Sequence, residues 1–171
     1  MGSPPLAGPR DQRDIAARDD VLVYTSDALE HAIEVTGSTV VELWIETDVV
    51  DSDFVARLVD VAPDGVAYAV AEGVQRARWR EDPLMETPGK KVTPGEPTLI
   101  RIELTPTSNL FLPGHRLRLD VTSSCFPRWQ RNLNIWDQPT ATLDEAVIAN
   151  HRVLHDEAHR SRVLLPIIPA D

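Results

Sequence analysis

A single cysteine, Cys125, among 171 residues excludes an internal disulfide framework and any cysteine-rich zinc site. No apolar run approaches the ~20 residues that a membrane-spanning helix requires. The N-terminus also lacks the basic-then-apolar order of a secretory signal. Lysine is almost missing, 2 residues against 15 arginines, and acidic side chains outnumber basic ones 27 to 17. The resulting net charge of −10 repels phosphate backbones and anionic lipid, so neither nucleic acid nor membrane is an expected partner. Three chemical motifs are absent as well. There is no G-x-S-x-G elbow to expose a nucleophilic serine, no glycine-rich phosphate loop, and no dinucleotide fingerprint. A cytoplasmic chain with no cofactor and no metal is the expectation.

What remains is ordinary globular material, 42% hydrophobic and 26% charged. A chain of this size buries roughly 70% of its unfolded surface and needs no staple. Residues 1–10 (MGSPPLAGPR) have three prolines, two glycines and no periodicity, so they read as a flexible linker or a tag remnant. Residues 11–171 form one domain.

Within it the pattern has period two. Leu29, His31, Ile33 and Val35 alternate with polar or small residues; Val40–Ile45 and Phe54–Asp60 follow, and Pro63-Asp64-Gly65 supplies a hairpin turn. Leu99–Leu104 and Leu117–Val121 repeat the alternation, while residues 81–97 and 124–145 are long connections. Thr142-Leu143-Asp144-Glu145 fits a helix capping box, yet the run Val147–His155 alternates and is read as a strand. Pro166 in the closing VLLPII suggests a sheet edge. Nine or ten short strands without βαβ alternation make an all-β fold, and the long crossings favour a jelly-roll β-sandwich over a meander.

Several side-chain groups invite a chemical reading. His151, His155 and His159 would stack on a helix as a metal site. On a strand, His151 and His155 share a face about 13 Å apart, too far for one ion. Asp48, Asp51 and Asp53 lack the glycine and distal glutamate of a calcium loop and are expected to be solvated or capping. Cys125 in SSCFP is expected to be a buried small residue. Arg76, Arg78 and Arg80 alternate as a solvated strand face with acidic cross-strand partners.

The run Cys125–Asn132 with Trp136 is the most unusual composition. Phe126, Trp129 and Trp136 are three of nine aromatic residues in the chain, and Arg128 and Arg131 lie among them. Arginine and aromatics together suit an interface or a ligand site, while a lid over one end of the sandwich would use the same residues. The three readings stay open. No catalytic residue is assigned.

Taken in order, ARDDVLVYTSDALEHAIEVTG, DSDFVARLVDVAPDGVAYAVAEGVQRARWR, PGHRLRLDVTSS with Phe126-Pro127-Arg128, and the closing HRVLHDEAHRSRVLLPIIP resemble one family. That family is the C-terminal domain of the CocE/NonD (cocaine esterase / X-Pro dipeptidyl-peptidase) serine hydrolases. The resemblance implies a galactose-binding-like jelly roll that packs on an α/β-hydrolase domain, supplied in cis or in trans. The parent enzyme would hydrolyse esters or peptides, and its Ser-Asp-His triad lies in the hydrolase domain, so this chain alone should be inert. Two departures fall in the aromatic loop. Cys125 stands where the family has asparagine, and Ile135-Trp136-Asp137 replaces a glycine-rich stretch. The alternative is a free-standing jelly-roll module binding a carbohydrate or small ligand on Trp129 and Trp136. A surface left open by a missing partner could also give a homodimer.

Overall fold

A computed structural model describes residues 10–82, 84–138 and 141–169. Except for Arg10, the linker expected at the N-terminus lies outside the described residues. The elements run α1 (Arg13–Ala16), β1 (Leu22–Thr25), β2 (Ile33–Gly37), β3 (Val40–Thr47), β4 (Asp53–Val61), β5 (Ala67–Arg76), β6 (Thr98–Glu103), β7 (Thr107–Phe111), β8 (Arg116–Thr122), β9 (His151–Val153), β10 (Arg162–Leu164) and β11 (Ile167–Ile168).

The pairing is nested. β4 pairs with β5, β3 with β6, β2 with β7 and β1 with β8, all antiparallel. The chain is therefore one long hairpin, tipped at Pro63-Asp64-Gly65 and rolled up so that its pairs separate into layers. At the tip Gly65 takes a φ of +86°, and Ala62 and Val66 close the turn by a 2.8 Å backbone bond. Rolling puts β1-β8-β4-β5 in one sheet and faces it with β10-β3-β6 and β11-β2-β7. The result is an all-β sandwich of the jelly-roll kind.

The core fills the space between the layers. Phe54, Ala56 and Leu58 of β4 and Leu119 and Val121 of β8 meet Val41, Leu43 and Ile45 of β3, Ile100 and Ile102 of β6, and Phe111 of β7. One glycine sets the spacing at an edge. A Cβ on Gly73 would lie 2.2 Å from the Glu103 carbonyl oxygen, so β5 can approach the end of β6 only without a side chain there.

Four sequence expectations change. The strand read from Leu29 begins only at Ile33, as β2, because residues 29–32 are spent turning the chain: Leu29 N–H donates to the His115 carbonyl and the Leu29 carbonyl accepts from Gly114 N–H, both at 2.8 Å. β1 and the short α1 have no counterpart in the sequence reading; four residues are too few for a period to show. The capping box at Thr142 is real, but it nucleates only a 3-10 turn, Leu143–Glu145. The strand read over 147–155 shrinks to β9, because β3 offers a free edge only opposite Ile45–Thr47. Pro166 does separate two edge strands, β10 and β11. Among the described residues, no helix is long and apolar enough to cross a membrane.

Candidate functional site

β4 is buried on both faces through Val59, which half-buried alternation does not predict. Its second face explains why. The outer surface of β1-β8-β4-β5 carries Arg57 and Asp53 from β4, Glu72 and Arg76 from β5, and Arg118 and Asp120 from β8, and most of these are buried. Two segments cover them, the N-terminal stretch around Gln12 and the loop that follows β8.

Charges under a cover must be paired, and these are. The Arg57 guanidinium donates to Glu72 at 3.0 Å, to the side-chain oxygen of Gln12 at 2.7 Å, and to Cys125 Sγ at 3.5 Å. Glu72 also pairs with Arg128. Arg118 meets Asp120 through Nη2 at 2.9 Å; its Nε lies 2.8 Å from the other carboxylate oxygen without a well-directed hydrogen bond. Burial pushes the Cys125 thiol up, so the half-buried sulfur is no activated nucleophile.

The arginines and aspartates expected to be solvated form the tightest cluster. β5 ends at Arg76, and Ala77–Trp79 is a 3-10 turn rather than a strand, so Arg78 swings inward. Arg76 grips Asp53 at 2.7 and 3.0 Å. Arg78 donates from Nε to Asp51 at 2.5 Å and from its backbone N–H at 3.0 Å, while Nη2 reaches the carbonyls of Ile135 and Trp136 at 3.1 and 2.7 Å. Asn132 bonds Asp53 at 2.8 Å, and Gln138 bonds Asp51 at 2.9 Å. Asp51 is wholly buried. That burial pushes its carboxyl up, with Arg78 and the amide donors pulling it back. Of the three arginines only Arg80 is set apart, bonded to the carbonyls of Ala77 and Lys90. Asp48 is the remaining acid, and Asn150 holds its carboxyl below the usual range.

The histidines go to three separate places. His151 packs edge-on to Phe54, His155 to Tyr24 and His159 to Trp44, with ring centroids 5.0, 5.3 and 5.0 Å apart. Among the described residues no group of three His, Cys, Asp or Glu side chains is placed to hold a metal. One serine oxygen does meet an imidazole: Ser52 Oγ lies 3.3 Å from His151 Nε2. The other ring nitrogen faces the Thr47 hydroxyl at 3.0 Å, not a carboxylate, and Ser52 gives its proton to Asn134 at 2.8 Å. Ser52 is also buried, with 1% of its surface exposed. The arrangement lacks the orienting acid and the access that acyl transfer demands.

The aromatic loop splits the five residues singled out in the sequence. Trp136 lies under Arg78 at 4.4 Å and Lys91 at 5.4 Å, and Trp129 under Arg128 at 5.1 Å, so both indoles already carry cations against their rings. Arg128 is tied to Glu72. Phe126 is 59% exposed, with Arg131 4.5 Å from its ring centroid. A groove of about 290 Å³ beside them has the apolar Phe126, Leu133, Ala141 and Leu143 in its wall, with Gln130, Arg131 and Gln138 as its polar part. The acids that clamp the loop carry no motif, and only their partners' distant positions reveal them.

Residues 4–164 match the family described as the X-Pro dipeptidyl-peptidase C-terminal non-catalytic domain. The chain is 42% identical over 162 residues to the cocaine esterase of Rhodococcus sp. (strain MB1 Bresler), covering 94% of this chain and 28% of that protein. Among solved structures, an aminopeptidase from a marine sediment Thaumarchaeota archaeon superimposes with a TM-score of 0.87 at 31% identity, covering 94% of this chain and 28% of that one. An α-amino acid ester hydrolase superimposes with the same TM-score at 29% identity, covering 94% and 27%. The chain thus spans less than a third of the length of the proteins it resembles.

Proposed function

Since this chain belongs to the X-Pro dipeptidyl-peptidase C-terminal non-catalytic domain family, we propose that it is the accessory jelly roll of a larger serine hydrolase acting on ester or peptide bonds. Its work is to pack on an α/β-hydrolase domain and support that domain's active-site region. One observation carries the reading. The polar groups that could do chemistry are spent on the fold, Ser52 and His151 in a buried chain of neutral hydrogen bonds and Asp51 in its grip on Arg78. The isolated 171-residue chain should show no hydrolysis of p-nitrophenyl acetate above a mock purification. Turnover that follows the purified chain would overturn the proposal.

A further inference from the structure

Four large apolar side chains stand in solvent on one side of the molecule. Phe126 is 59% exposed, Leu143 65%, Val147 47% and Ile148 88%. They come from both ends of the long β8–β9 connection, yet Phe126, Leu143 and Val147 converge on Leu133. Phe126 and Leu143 share the groove over Leu133. Val147 is fastened to the same place, its N–H bonding the Leu133 carbonyl at 3.0 Å and its carbonyl accepting from Asn134 at 2.7 Å. Ile148 follows Val147 directly in the chain and is the most exposed of the four. Contiguous exposed apolar surface of this kind marks an interaction site.

From this placement, which rests on the accessory reading above, we infer that the Phe126–Leu143–Ile148 patch is the face that docks on the hydrolase portion of the parent protein. Three observations choose this occupant. The matching proteins carry more than two thirds of their length beyond the matched stretch, so a large covalent neighbour is available to cover the patch. In a parent arranged as the family description states, with this domain C-terminal, the polypeptide reaches it through Arg10–Gln12. Gln12 touches Arg57, and Arg57 touches Cys125, the residue before Phe126. A neighbour tethered there meets the patch at high effective concentration. Charge gives the partner's chemistry. Arg131 lies on Phe126 and, among the described residues, makes no ion pair although the chain carries −10. The opposing surface is therefore apolar with a carboxylate facing Arg131. Arg128 and Trp136 are instead tied to Glu72 and Arg78.

Amide hydrogen exchange on the isolated chain and on the full-length parent polypeptide tests the assignment. Segments 126–133 and 143–148 should exchange about tenfold more slowly in the parent. The double variant Phe126→Asp/Ile148→Asp should return them to the isolated-chain rate, and Leu110→Asp, at an exposed apolar site on β7, should not. Circular dichroism melts of the isolated variants should match the wild type, since neither side chain is buried. Equal exchange in both proteins, or slowing confined to other faces, overturns the docking face. Those outcomes leave the accessory reading intact, which falls only if the isolated chain itself turns over ester.

Discussion

Residues 125–131 and 132–138 of the β8–β9 connection both mix carboxamide side chains with aromatic rings, and the arginines of the pair, Arg128 and Arg131, belong to the first half. In the second half the carboxamides find fixed partners. Asn132 and Gln138 bond Asp53 and Asp51, and the carbonyls of Ile135 and Trp136 receive Arg78. In the first half Arg128 reaches Glu72, but Phe126 and Arg131 lean on each other in solvent. The difference lies beneath the loop, not in it. The entry into β4 places the buried Asp51 and Asp53 under one half, whereas the other has only the half-buried Glu72, which Arg128 takes, so one half is a clamp and the other is open surface.

The clamp should break first and hardest. Asp51→Ala strands the Arg78 guanidinium in a buried site, and the loss should be about 3–5 kcal/mol in urea unfolding. A change below 1 kcal/mol would mean that the acid does not hold the loop.

Acid should loosen the same half more gently. Burial holds the His151 pKa below its ordinary 6.5, against the pull of Asp48. Between those values the unfolded chain binds the proton that the folded chain refuses. Stability is therefore full above about pH 6.5 and drains as the pH falls through that window, with Ser52 and Asn134 released. Urea midpoints taken from pH 7.5 to 5 should fall, and His151→Gln should flatten the part of that slope due to this ring.

The open half should barely respond. Arg131→Ala removes one exposed cation–π contact, and its cost should stay at or below about 1 kcal/mol. A larger loss would show that Arg131 has a structural partner and would erase the contrast between the halves.

Much of the sandwich was legible in the chain. Alternation located the cores of β3, β4, β6 and β8, and Pro63-Asp64-Gly65 marked the tip of the rolled hairpin. Where the reading failed, it extended a local pattern past its tertiary support. Val147–His155 alternates throughout but pairs only where β3 leaves an edge free, and Arg76, Arg78 and Arg80 alternate although the strand ends at Arg76. The candidate site was visible only as a composition. Nothing near Phe126, Arg128, Trp129, Arg131 or Trp136 tells which of them is covered.

The sequence by itself determined the cores of β3, β4, β6 and β8, the turn between β4 and β5, the family likeness and the want of a nucleophile elbow, because each of these is written in neighbouring residues. Only the tertiary structure decided that Asp51 meets Arg78 across 27 positions and Asn132 meets Asp53 across 79. Rolling the hairpin brings those groups together under one cover, where water no longer competes for them, and their energies depend on that burial rather than on any spacing along the chain.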